Sequence, residues 1–256
     1  MQKKAWTYTM AGTVCGAVAV IFRWLQVQTV FDEETGLPTL HAPLTTMLVV
    51  VLIAVAVLLW WLSGRMHADW SPEEPEDAFA LAHRETGWLL VAAAAVTAFG
   101  SVYLFFTEDG TLMKTAALLG LLSAPVLAVM PQLPKWGGFG AALSVIPVIF
   151  YSLWLVVYYK NNAANPILWS YGMEILAIAM CLLAAFRLSA YLFYRAKPRK
   201  AIFACMLALT ASLATFTDSA SIGLRAVVGG WGIGCAVMCW VLIRNFTPPE
   251  PEEEEY

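Results

Sequence analysis

The stretch Trp169–Lys200, WSYGMEILAIAMCLLAAFRLSAYLFYRAKPRK, decides the fold. From Trp169 to Tyr194 only Glu174 and Arg187 carry charge. About 20 apolar residues in a helix, at about 1.5 Å rise each, cross a hydrocarbon core about 30 Å thick. The run stops at Arg195, Lys197, Arg199 and Lys200, the densest basic cluster in the chain. An apolar helix closed by such a cluster is a membrane span with a basic end.

The rest of the chain repeats the pattern. Of 256 residues 60% are hydrophobic and only 13% charged, and the mean hydropathy is +0.69. A soluble domain carries about 25% charged residues. The short alternating segments of a β-barrel are not seen. The spacing of apolar runs predicts an all-α, polytopic integral membrane helix bundle with eight transmembrane helices. Their approximate bounds are 5–26, 44–62, 87–106, 112–129, 138–158, 166–194, 201–217 and 226–243. Residues 1–246 form one transmembrane domain. Residues 247–256, with prolines and a run of glutamates, read as a disordered acidic tail. The first segment is long enough to span, and Thr7, Thr9 and Thr13 dilute any signal-peptide core, so it reads as a retained helix.

Charge orients the bundle. With both termini on one side, that side holds ten basic residues: Lys3, Lys4, Arg65, Arg84, Lys135, Arg195, Lys197, Arg199, Lys200 and Arg244. The opposite side holds three: Lys114, Lys160 and Arg225. Basic loops stay in the cytoplasm, so both termini and the tail are expected there, in a multi-pass protein of the cytoplasmic or plasma membrane. Many of the eleven Trp and nine Tyr fall at segment ends, as aromatic belts require.

Local signals set finer expectations. Ser71-Pro72-Glu73-Glu74 reads as a helix start, with Ser71 as cap and Pro72 at the first position. Asn165-Pro166 does the same for the sixth span. Pro125 and Pro147 are expected to kink the fourth and fifth spans. Gly12 and Gly16 have the spacing that lets helices approach closely, and the Gly229–Gly234 run in the last span reads as a packing face. Phe106-Thr107-Glu108 and Phe216-Thr217-Asp218 are similar and fit a repeat of four spans.

Ionisable groups within a span are costly and need a partner, a cavity or a route to the interface. Three qualify: Arg23, Glu174 and Arg187. Glu174 and Arg187 lie thirteen residues apart, which is about 20 Å along the helix and about 220° around it, so they do not pair. Arg23 lies in the outer part of the first span, at the depth of Glu174. A buried Arg23–Glu174 pair is one expectation. The alternative has Arg23 snorkelling to the headgroups and a protonated Glu174 bonded to a neighbour. Arg187 is placed to snorkel at the inner face, with Glu85 as the other possible partner. Asp218 and Arg225 read as a solvated turn pair. Thr210, Ser212 and Thr215 make the seventh span the most hydroxyl-rich; such hydroxyls line a polar path or, more often, bond back to helix carbonyls.

The five cysteines all lie in apolar runs without CxxC spacing, so no disulfide framework is implied. No histidine falls within a span, so no metal or other cofactor is expected, and no nucleophile–base arrangement supports a catalytic residue. A basic solvated face for nucleic acid is absent. The partners expected are the lipid bilayer and a protein that binds the acidic tail; any small-molecule substrate is unknown. Three function classes follow in order. A transporter or permease-like carrier of a small molecule or ion is first, with Glu174, Arg23, Thr210, Ser212 and Thr215 as its polar site. A structural or regulatory membrane subunit is second, and a membrane-embedded enzyme third.

Overall fold

The computed structural model describes residues 2–30, 43–66, 71–165, 167–218 and 221–246. The acidic tail lies outside these residues. The elements are α1 (Gln2–Val30), α2 (Pro43–Gly64), α3 (Pro75–Ala78), α4 (Arg84–Thr107), α5 (Thr111–Val129), α6 (Gly137–Asn162), α7 (Gly172–Leu192), α8 (Pro198–Ala214) and α9 (Ile222–Arg244). Among the described residues, seven helical runs are long and apolar enough to cross a membrane. One of them, Thr111–Asn162, has 52 residues, about twice what a bilayer needs. It is a hairpin: α5 and α6 pack on each other, joined by the 3₁₀ turn Met130–Trp136. The turn closes at Gly137, whose φ of +55° favours glycine. The described residues thus form an all-α, multi-pass membrane bundle in which the hairpin brings the crossing helices to eight.

α9 is its axis. It packs on α1, α4, α5, α7 and α8, and its Trp231 meets Tyr151 of α6 edge-on, ring centroids 5.4 Å apart. Around it the order is α1, α8, α7, α6, α5, α4, with α2 outside on α1 and α8. Lipid tails are as apolar as leucine, so helices associate here by close packing and hydrogen bonds. The glycine-rich face of α9 serves that end. A Cβ on Gly100 of α4 would sit 2.6 Å from the Gly223 carbonyl oxygen, and one on Gly230 would sit 2.7 Å from that of Ala93. Gly12 and Gly16 likewise face α8, at Leu209 and Leu213.

Consecutive crossings alternate in direction. At one end, Arg199 Nε donates to the Met66 carbonyl at 2.5 Å. Asn245 Nδ2 donates to the carbonyls of Ala78 and Ala80 at 3.0 and 2.9 Å, and Phe79 meets Tyr191 at 5.4 Å. This end gathers the basic majority of the chain, including Arg65, Arg84, Arg199 and Arg244.

Some boundaries differ from the sequence reading. The helix expected from Ser71 begins at Pro75, with Glu74 as an uncapping predecessor; the second proline, not the first, takes the first helical position. The sixth span begins at Gly172, not near Pro166. Asn165 instead organises a loop: its side chain accepts from the Ile167 amide and donates to Ser170 Oγ, both at 2.9 Å. α5 and α6 each run through their proline as one helix. The four-span repeat is matched in part: α1 packs on α2 as α6 does on α7, and α4 on α5 as α8 does on α9, but α7 packs on α8 whereas its counterpart α2 packs on α8 and not on α4 to any comparable extent.

Candidate functional site

The charged groups of the interior meet at the end opposite the basic cluster. Arg23 and Gln26 lie three apart on α1, which puts them on one face. Arg23 is 2% exposed and Gln26 fully buried. Arg23 uses its whole fork. Nε donates to Asp218 Oδ1 at 2.5 Å, Nη1 to Gln26 Oε1 at 2.6 Å, and Nη2 to the Trp169 carbonyl at 2.8 Å. Gln26 passes the network on, donating to Thr45 Oγ1 of α2 at 3.1 Å. One guanidinium therefore ties α1 to α2, to the turn before α7 and to the segment after α8.

Asp218 had read as a solvated turn residue. It is 4% exposed and forms the ion pair of Arg23. The 3₁₀ turn Thr215–Thr217 folds it inward, with the Asp218 amide donating to the Thr215 carbonyl at 3.2 Å. Burial pushes its carboxyl above the usual aspartate range, and the Arg23 guanidinium opposes that rise. Its Oδ2 has no hydrogen-bond partner among the described residues. A charged hydrogen bond is the physical reason Asp218 can be buried at all.

Glu174 does not take Arg23. It sits in the first turn of α7, 2% exposed, and accepts a hydrogen bond from the Tyr158 hydroxyl of α6. Asp218, Arg23 and Arg225 all lie within electrostatic range of it. The expected pair is thus replaced by two linked contacts, Arg23–Asp218 and Tyr158–Glu174, at one depth. The placement in the first helical turn also suits an acid, because free backbone amides there favour negative charge.

The remaining sequence candidates fall elsewhere. Thr210 Oγ1 donates across to the Gly12 carbonyl of α1 at 3.2 Å. Ser212 and Thr215 donate back to the carbonyls of Ala208 and Ser212, at 2.6 and 2.8 Å. These hydroxyls are satisfied by backbone and share no hydrogen bond with Glu174 or Arg23. Arg187 is half-buried on α7, its guanidinium 5.5 Å from the Phe186 ring centre. No group of three or more metal-ligating side chains occurs among the described residues.

Two residues of this cluster escaped the sequence reading. Tyr158 looked like a belt aromatic, and Asp218 followed a span rather than lying in one. The usable signal was depth: the first and seventh spans both run toward the same end, so Arg23 and Asp218 arrive there together.

No family model, curated protein or solved structure matches the chain. What the fold and the buried cluster define is a class: a multi-pass helical membrane protein with a buried Arg23–Asp218 ion pair and a buried Tyr158–Glu174 hydrogen bond at one end.

Proposed function

We propose that the protein acts as a structural or regulatory subunit in a membrane, with its basic end in the cytoplasm. The observation that carries this reading is the filled interior. Trp154, Trp231 and Tyr151 are all at most 1% exposed along the bundle axis, and Phe150 and Trp154 stack at 5.2 Å. Glu174, the acid on which a carrier would depend, is sealed by Tyr158. A carrier binds solute in a vacancy near mid-membrane, between helices with two arrangements. Here Arg23 and Asp218 hold each other, and Tyr158 holds Glu174.

A partner would meet the basic end, where an acidic face interrupts the positive charge. Glu73, Glu74, Glu76 and Asp77 are all exposed there. Their charge complements a basic juxtamembrane segment of another protein, as does the acidic tail.

Photo-crosslinking from Glu73 and Asp77 in native membranes tests the reading. It expects one discrete adduct that disappears when Glu74 and Glu76 are changed to lysine. The absence of any adduct, or one indifferent to the charge reversal, overturns it.

A further inference from the structure

The ring around α9 is least closed between α1 and α4. A cavity of about 930 Å³ lies there against α9, near the basic end. Trp6, His83, Glu85, Leu89, Val237 and Trp240 are among its walls. The geometry points to a binding site for one zwitterionic phospholipid with an ammonium headgroup, seated from the leaflet at the basic end.

Depth argues for a lipid. Trp6 lies near the start of α1, Glu85 is the second residue of α4, and Trp240 lies four residues before the end of α9. At about 1.5 Å per residue the mouth of the groove is within one or two turns of the helix ends. That is the headgroup level, where Trp and Tyr concentrate. Leu89 and Val237 lie deeper, along the helix axes, at the level of acyl chains. A ligand in this groove has a polar end at Glu85 and His83 and an apolar end against Leu89 and Val237.

Charge selects the headgroup. The basic end as a whole attracts anions, but the groove's walls among the described residues carry one acid, Glu85, and no lysine or arginine. Glu85 has no ion-pair partner among the described residues. The neighbouring cavity, about 650 Å³, sets Glu73, Glu74 and Asp77 against Arg244 alone. Arg244 and Arg84 are themselves turned to indoles, with guanidinium carbons 5.1 Å from the Trp240 ring centre and 5.9 Å from that of Trp88. His83 flanks Trp240 at 6.5 Å. The groove mouth therefore offers a free carboxylate and aromatic walls, which is the chemistry that takes a cation. An ammonium headgroup fits it; an anionic glycerol headgroup meets repulsion.

Lipid retention tests this. The protein is reconstituted in nanodiscs of equal phosphatidylethanolamine and phosphatidylglycerol, re-extracted, stripped with detergent, and its residual lipid is measured by mass spectrometry. The expected result is retained phosphatidylethanolamine in excess of phosphatidylglycerol. Glu85→Gln, at an exposed position, should reduce that retention roughly three- to tenfold. Ala236→Trp, which fills the groove, should abolish it. Leu122→Trp, on the lipid-facing side of α5, should leave it unchanged. Equal retention of the two lipids, a preference for phosphatidylglycerol, or retention unaffected by both groove substitutions would mean ordinary surrounding lipid and overturn the site. If Ala236→Trp fails to fold, the Glu85→Gln result decides alone.

Discussion

Arg23 and Asp218 meet at 2.5 Å across 195 residues of sequence, and the contact fastens the end of α1 to the end of α8. Neither group tolerates its position alone. Arg23 is 2% exposed and Asp218 4%, so removing one leaves a buried charge without its counterion.

Single and double substitutions at this pair should therefore behave unequally. Breaking a buried pair from one side costs about 3–5 kcal/mol, whereas apolar replacement of both is often near neutral. Arg23→Met and Asp218→Leu should each lower the thermal midpoint in detergent strongly. The double variant should melt closer to the native protein than either single one. Equal or additive losses would remove the pair from the account.

The orphaned acid should also respond to pH. Burial already raises the Asp218 carboxyl, and Arg23 is what restrains the rise. In Arg23→Met the folded value moves further above the unfolded one, so the folded state binds more protons than the unfolded. Stability then increases as pH falls toward the unfolded aspartate value near about 3.9. Melting of Arg23→Met should recover in part as pH falls from neutral, and Asp218→Asn in the same background should reduce the recovery.

Tyr158 and Glu174 form the second link. Tyr158→Phe removes the hydroxyl that Glu174 accepts from and strands a buried carboxyl, at about 1–3 kcal/mol. Glu174→Leu with Tyr158→Phe should cost less than Tyr158→Phe alone. Thermal melting of the two variants checks this.

The close approach of α4 and α9 gives a packing test. Gly100→Ala forces a Cβ to within 2.6 Å of the Gly223 carbonyl oxygen, and such overpacking costs about 1–3 kcal/mol. Gly138→Ala meets nothing within 4 Å and should be neutral. Comparable losses at both positions would contradict the packing described.

The helices were legible from sequence because their signal is length and apolarity, and a bilayer requires both. All eight crossings are seen within a few residues of their expected bounds, apart from the late start of α7. That exception comes from Asn165, whose side chain serves the loop rather than a helix cap. The small-residue faces were legible too, since Gly12, Gly16 and the Gly229–Gly234 run have no other use in a span. Charge partnership was not. Arg23 and Glu174 were visible as costly groups, but hydropathy reports depth and not azimuth. It did not reveal that the turn after α8 carries Asp218 to Arg23 while Tyr158 takes Glu174. Nor did it show the gap between α1 and α4, because that depends on the order of helices around α9.

The central claim is that the interior is closed, and native cysteines probe it directly. Cys181, Cys205 and Cys235 are fully buried and Cys239 is 1% exposed, on three helices that meet along the axis. Thiolates form and react only where water reaches them. In intact vesicles carrying an ion gradient, a small charged thiol reagent applied from both sides should leave these four cysteines unmodified, while an exposed control, Glu73→Cys, is labelled. Labelling of any of the four, especially labelling that grows when the gradient is imposed, would show a water path opening through the bundle and would contradict the closed interior on which the proposed structural or regulatory role rests.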